Sequence, residues 1–335
     1  MNKLPFTKII AVVIILLGMV GANTASLLGS TNGLGNNFDS EYEIGTDGYQ
    51  VPNDDPVVAG AGDISLCSAP EDTYTAALLA NINGDVITFG DNTQLHGTAE
   101  EFAECYDPTW GLYKYKTHPT PGNHDYHTLE ALPYYEYFGS AAGEVGKGYY
   151  SYDIGYWHLI ALNSEIDISS DSPQVQWLQA DLDSHQNNCA LAYWHRPRFT
   201  SGLSNPSDPS IGAIWDVLYE YGVDVVLNGH VHLYERFAPQ NPQGDADSNG
   251  IREFVVGTGG GGSFYDYSPI ANREVINNET YGVIKLTLHE YSYDWEFIPI
   301  EGQTFTDAGS TDCSIPIFTT INTFIPQIMK WVATK

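Results

Sequence analysis

Short apolar runs recur along this chain, and each closes on a polar residue in a turn. Residues 57–63 read Val-Val-Ala-Gly-Ala-Gly-Asp, and 85–91 read Asp-Val-Ile-Thr-Phe-Gly-Asp. Both patterns suit buried strands. Between them, 72–82 sets Ala77, Leu78, Leu79 and Ile82 on one helical face, so the stretch predicts a strand–helix–strand unit with Asp63 and Asp91 at its two strand ends. A third ending is Thr120-Pro121-Gly122-Asn123-His124-Asp125. Residues 149–163 alternate across Gly155, which predicts a β-hairpin. Val175, Leu178 and Leu182 give 172–185 a helical stripe, and 189–195 is a strand ending in His195. A second amphipathic helix, 211–221, precedes the run 223–227 and the turn Asn228-Gly229-His230-Val231-His232. Residues 252–262 predict a strand running into four glycines, and 281–300 a final hairpin.

Strands alternating with helices predict an α/β protein, and the two hairpins add antiparallel pieces. Two packed sheets flanked by helices fit this order better than one doubly wound sheet. No internal repeat is visible. The folded domain is expected over 56–313, behind a linker of Gly, Asn, Ser and Asp at 26–55. Residues 314–335 form an apolar tail with Pro316 and Pro326, expected to pack on the domain.

At the start of the chain, Lys3 and Lys8 precede an uncharged apolar run, 9–20, which is shorter than the ~20 residues of a membrane span. Small residues follow, with Val20-Gly21-Ala22 and Asn23-Thr24-Ala25 as alternative cleavage sites. Residues 1–25 therefore read as a secretory signal, and the protein as secreted, extracellular or periplasmic. An uncleaved anchor is the alternative. Four cysteines in an exported chain suggest two disulfides with three connectivities, of which Cys67–Cys105 with Cys189–Cys313 is preferred. The charge balance is 13 Lys and Arg against 42 Asp and Glu, a net −29. A chain so poor in bases has no cationic stripe to neutralise phosphates, which argues against nucleic acid as partner. Membrane contact is expected only through the signal or the C-terminal tail.

Asp63, Asp91, Asn123, His195, His230 and His232 all close apolar runs or sit in glycine turns. Singly, each has a structural reading: a turn or cap aspartate, an asparagine in a left-handed turn, a satisfied core histidine. Together they point to one place, because α/β sheets bind ligands beyond the carboxyl ends of their strands. His230 and His232 lie two apart, and on an extended segment such residues point the same way, so both imidazoles are expected to reach one spot. Gly229 leaves room for close backbone approach. Two cations ~3.5–4 Å apart need a bridging carboxylate and ligands on either side. Mixed oxygen and nitrogen donors suit Fe, Mn or Zn rather than Ca or Mg.

Gly62-Asp63, Gly90-Asp91, Gly122-Asn123-His124-Asp125, the strand-end His195 and Gly229-His230-Val231-His232 resemble the ordered motifs of the calcineurin-like metallophosphoesterases. The stretch 229–236, Gly-His-Val-His-Leu-Tyr-Glu-Arg, and Asp63-x-Ser65 are similar to their purple acid phosphatase branch. The resemblance covers residues 57 to 300 and implies a four-layer α/β/β/α sandwich, two packed mixed sheets flanked by helices. It implies two transition-metal ions, divalent or trivalent: Asp63 and His232 on the first, Asn123, His195 and His230 on the second, and Asp91 bridging them. His124 would face the leaving group with Asp125 orienting it, while a hydroxide between the ions attacks phosphorus. The activity so implied is hydrolysis of small phosphate esters, foremost monoesters. A phosphodiesterase on the same site, or a non-catalytic metal-binding module at the cell surface, are the alternatives. Two departures stand out. Gln94 occupies the position where the purple enzymes carry a tyrosine ligand. No further histidine follows His195; the run there is Arg196-Pro197-Arg198-Phe199-Thr200-Ser201. Arg196, Arg198 and Gln94 are therefore candidate substrate contacts, and His96 is a further histidine placed near the site.

Overall fold

The computed structural model describes residues 55–185 and 187–314. The proposed signal, all but the end of the linker, and the tail beyond Ser314 lie outside the described residues. Among those described, no helix is long and apolar enough to cross a membrane.

The strands fall into two mixed sheets. In the first, β1 (Val57–Ala61), β2 (Asp85–Phe89) and β3 (Thr117–Thr120) run parallel. β11 (Gly282–Leu288) pairs antiparallel with β1, and β12 (Ser292–Pro299) and β13 (Ala308–Asp312) extend the meander outward. The second sheet has a parallel centre of β5 (Trp157–Ala161), β6 (Cys189–Trp194), β7 (Val225–Asn228) and β9 (Arg252–Val256). Antiparallel strands flank it: β4 (Tyr150–Ile154) on one side, β8 (Tyr234–Phe237) and β10 (Arg273–Asn277) on the other.

Two-sided burial explains why the central strands read as unbroken apolar runs. Along β6, Leu191 and Tyr193 join the core shared with Val58, Phe89 and Ile284 of the first sheet. Ala192 and Trp194 face the other way, toward helices α3 (Pro173–Ser184) and α4 (Gly212–Glu220), which bring Val175, Leu178, Trp215 and Leu218. Helix α1 (Glu71–Leu79) covers β1 and β11 with Ala76 and Leu79 buried. The layers are thus helix, sheet, sheet, helix, as the alternation predicts.

Several elements differ from the sequence pattern. Helix α1 stops at Leu79 rather than 82, where the chain turns at Ala80 and Asn81. β9 ends at Val256, because the glycines after it form a loop against Asp63 and Ile64 instead of extending the strand. The stretch 93–148 carries short helical turns and helix α2 (Leu132–Phe138), held by an aromatic cluster of Phe102, Tyr106, Tyr134, Tyr137 and Phe138. Disulfides join Cys67 to Cys105 and Cys189 to Cys313, the preferred pairing. The first pins the loop after β1 to that irregular stretch, and the second ties the start of β6 to the residues after β13.

Candidate metal centre

The carboxyl ends of β1, β2, β3, β6 and β7 meet at one edge, where Asp63, Asp91, Asn123, His195 and His230 follow them. Sharp turns bring these residues in. Asp63 (φ 57°), Asp91 (φ 48°) and His230 (φ 69°) are all left-handed, a conformation costing roughly 1–2 kcal/mol per residue. Room for the turns comes from missing side chains. A Cβ on Gly122 would lie 2.3 Å from Asp91 Oδ1, and one on Gly229 2.6 Å from Phe89 O and 2.8 Å from Asp63 Oδ2.

The left-handed His230 corrects one expectation. The His-x-His segment is not extended at His230, and its two rings meet different nearest partners. His230 Nδ1 lies 3.2 Å from His195 Nε2. His232 instead brings Nε2 to within 3.3 Å of Asp63 Oδ1. One loop therefore serves two neighbouring clusters, and the backbone N–H of His230 ties them by donating to Asp63 Oδ2 at 2.7 Å.

Around His195 Nε2 stand Asp91 Oδ2 and Asn123 Oδ1, each at 3.2 Å. Asp91, His195 and His230 offer ligand atoms all within 4.8 Å of one another. The far ring nitrogens fix the tautomers. His195 Nδ1–H donates to Phe89 O at 2.8 Å, and His232 Nδ1–H to Ser263 O at 3.1 Å. Both Nε2 atoms then face carboxylate oxygens, an arrangement completed by positive charge, either a proton on each ring or a metal ion. Histidines anchored through the second nitrogen to a carbonyl are the usual supporting frame of a metal site. The donor chemistry fits a pair of transition-metal ions.

The electrostatics agree. Burial would raise Asp63, yet His232, His195 and His230 hold its pKa down to about 2. Burial opposes charge on His195, but Asp91, with Asp63 and Glu165 beyond, lifts it to about 10. His230 is driven down to about 2 by burial and by His195 and Arg196, so it stays neutral.

The remaining candidates divide. His124 sits beside the cluster, its N–H donating to Asp91 Oδ1 at 2.7 Å and its Nε2 3.8 Å from Asp91 Oδ2. Asp125 does not orient it. Its Oδ2 accepts from Gly122 N at 2.9 Å and from Asn92 Nδ2 at 3.1 Å, so it braces the turn that carries Asn123. The carbonyl of Leu95, 3.1 Å from His124 Nδ1, orients the ring instead. Gln94 is buried and donates from Nε2 to Asp63 Oδ1 at 3.2 Å, a contact within the ligand cluster. Arg196 is gripped by Glu165, Nε to Oε1 at 2.8 Å and Nη2 to Oε2 at 3.0 Å, and its Nη1 stands 3.3 Å from His230 Nε2. Arg198 lies over the Phe199 ring, 4.6 Å from its centroid. His96 is exposed, its ring 6.0 Å from that of His127.

Three neighbours escape the sequence patterns. Glu165 follows β5 in a loop with no motif of its own. Tyr265 stacks on His232 at 4.4 Å and 7°. His127 lies with its ring 4.6 Å from that of His124 and shares the Leu95 carbonyl. Its spacing of three from His124, in a helical turn, was the available signal.

The family model of the calcineurin-like phosphoesterases matches residues 68–234. Purple acid phosphatase 22 of Arabidopsis thaliana is 28% identical over 215 residues, covering 56% of this chain and 47% of its own. Purple acid phosphatase 15 of the same plant is 29% identical over 239 residues, covering 61% and 44%. The chain thus spans about half the length of these curated relatives. Among solved structures, purple acid phosphatase PPD1 from yellow lupin (Lupinus luteus) superposes with a TM-score of 0.64 at 19% identity, over 77% of this chain and 53% of that one.

Proposed function

Because the chain belongs to the calcineurin-like phosphoesterases, in their purple-acid-phosphatase-like branch, we propose that it is an exported hydrolase of small phosphate monoesters that works with two Fe, Mn or Zn ions. The observation carrying this reading is the convergence of Asp91, Asn123, His195 and His230 on one point beside Asp63 and His232. Export is supported by the two disulfides, which persist in oxidising compartments.

Asp63 and His232 would hold the first ion, Asn123, His195 and His230 the second, and Asp91 both. When bound, such a pair supplies Lewis-acid charge to the phosphate and a nucleophile at neutral pH. The chain's own groups do the rest. Glu165 occupies the Nε–Nη2 edge of the Arg196 guanidinium and leaves Nη1 beside His230, suited to a phosphate oxygen. His124 keeps Nδ1 on the Leu95 carbonyl, which leaves Nε2 to hand a proton to the departing oxygen. Asp125 holds the Asn123 turn in place from beneath.

The test is phosphate release from p-nitrophenyl phosphate and from bis(p-nitrophenyl) phosphate by protein reconstituted with Mn, Fe or Zn, alongside Asp91→Asn. Faster turnover of the monoester, lost with the metal in the variant, is the expected result. Preference for the diester makes the protein a phosphodiesterase. Metal retention without turnover of either leaves a binding module.

A further inference from the structure

After β9 the chain crosses the end of β1 before it reaches β10. Gly259 N donates to Gly62 O at 3.0 Å and Gly261 N to Asp63 O at 2.7 Å, an approach that side chains at these glycines would block. The residues that follow wrap His232. Ser263 O accepts its Nδ1–H, and Tyr265 N donates to its carbonyl at 3.1 Å. The Tyr265 ring lies flat on the imidazole, with centroids 4.4 Å apart and planes at 7°. A second segment, 201–205, backs this one. Leu203 N donates to Asp266 O at 2.9 Å and Ser268 N to Ser201 O at 3.0 Å, while Arg273 Nη1 donates to both Ser201 Oγ and Ser268 O. The two segments make a braced lip beside His230 and His232.

Tyr265 is half-buried in that lip, and its hydroxyl lies close enough to Asp63 and Asp91 to feel both carboxylates. Asn205, from the facing segment, offers its amide to the phenol oxygen, and its Nδ2 donates to His230 O at 3.1 Å. An amide donor on that oxygen leaves the O–H proton for another acceptor. A phenylalanine would fill the stack on His232 equally well; the hydroxyl adds a neutral donor beside the ligand cluster. Arg196 supplies the matching donor across the loop, with Nη1 3.3 Å from His230 Nε2. Each histidine of the loop thus has one donor of the chain next to it, a guanidinium at His230 and a phenol at His232. A phosphate presents several oxygens, and donors on two sides fix its orientation.

On the reading of this centre as a phosphate-ester hydrolase, we infer that Tyr265 is a substrate contact whose hydroxyl donates to a phosphate oxygen on the His232 side, as Arg196 does on the His230 side. Asn205 is a positioning residue, which holds the phenol oxygen and ties the lip to the His230 carbonyl.

Tyr265→Phe keeps the stack on His232 and removes only the hydroxyl. The measurements are KM for p-nitrophenyl phosphate and the dissociation constant of inorganic phosphate from metal-loaded protein, with metal content alongside. Both constants are expected to rise about tenfold at unchanged metal content, the loss of one hydrogen bond to a charged group. Unchanged constants overturn the inference and leave Tyr265 a packing partner of His232. Metal loss from the variant overturns it too, and makes the hydroxyl part of the ligand frame. Phosphate binding separates the contact from the hydrolase reading. A wild type that binds phosphate and turns over no ester fails as an enzyme, and a weaker phosphate complex in Tyr265→Phe still supports the contact. A wild type that neither binds phosphate nor turns over overturns both. Should the variant fail to fold, wild-type crystals soaked in phosphate decide. A phosphate oxygen within about 3 Å of the Tyr265 hydroxyl supports the contact, and phosphate held at the centre beyond that reach overturns it.

Discussion

His195 Nε2 stands 3.2 Å from Asp91 Oδ2, with the opposite ring nitrogen donating to Phe89 O. The lone pair faces the carboxylate, so a positive charge belongs between them. Asp91 is also the only carboxylate in that ligand group of three among the described residues. Replacing Asp91 with Asn removes a negative charge that both ions are proposed to share. Asp91→Asn is expected to lose both ions of the centre and nearly all turnover, whereas Asp63→Asn, at the His232 side, weakens one ion. Elemental analysis of the two variants checks this; identical metal loss in both would overturn the assignment of bridge and terminal ligand.

Gln94 predicts a colourless iron-loaded enzyme, since its amide replaces the tyrosinate that colours the purple relatives. Its Nε2 donates to Asp63 Oδ1, so no phenolate stands at that position. The check is the visible spectrum of protein loaded with Fe(III). A strong charge-transfer band would mean that another tyrosine supplies the ligand, and Tyr265, stacked on His232, is the residue to replace first.

Glu165 holds Arg196 by two charge-assisted hydrogen bonds, the stronger kind. Glu165→Gln keeps the size and loses the charge. KM for p-nitrophenyl phosphate is expected to rise about tenfold with metal content unchanged, because one such contact is worth roughly 1.5–3 kcal/mol and the amide retains part of it. A fall in metal content instead would assign Glu165 to the ligand frame.

Asp224 gives a pH signature away from the centre. Burial raises its carboxyl from 3.8 to about 7, although the N–H groups of Ala190 and Ser314 donate to it at 2.9 and 2.5 Å. The folded chain therefore keeps a proton that the unfolded chain has released. Between pH 4 and about 7 the native state binds more protons, so this residue's contribution to stability falls as pH rises through that window. Asp224→Asn abolishes the titration. Its Tm is expected to change less than the wild type's between pH 5 and 7.5, measured by calorimetry; parallel curves for the two would count against a raised pKa.

Much of the site was legible because strand ends announce themselves. Apolar runs closing on Gly-Asp or on His mark where buried strands stop, and the hydrogen-bonded sheets bring those ends to one edge. What stayed hidden depends on backbone turns and long-range packing. Nothing in the identity of His230 declares a φ of 69°, so the pattern reads as an extended pair, whereas His230 meets His195 and His232 meets Asp63. β13 reads Ala-Gly-Ser-Thr-Asp, an edge strand without apolar alternation, and gives no periodic signal. Charged β8 passed unnoticed because Glu235 and Arg236 are satisfied by partners far away in sequence, Ser201 and Asp307. Asp125 looked like a partner for its neighbour His124, yet the turn points its carboxylate back toward Gly122 and Asn92.

His124 supplies the sharpest test of mechanism. The Leu95 carbonyl, 3.1 Å away, fixes the proton on Nδ1, so Nε2 is the nitrogen turned toward Asp91. To act as a general acid the ring must carry its proton on Nε2, the nitrogen on the reacting side. A departing alkoxide is a poor leaving group and gains roughly 10²–10⁴-fold from such a proton. Nitrophenolate is stable on its own and gains little. His124→Asn is therefore expected to slow hydrolysis of an alkyl phosphate far more than that of p-nitrophenyl phosphate, with metal content retained. Equal losses on both substrates would assign His124 to positioning or charge stabilisation. Loss of metal would place it in the frame of the centre, through the hydrogen bond from its backbone N–H to Asp91.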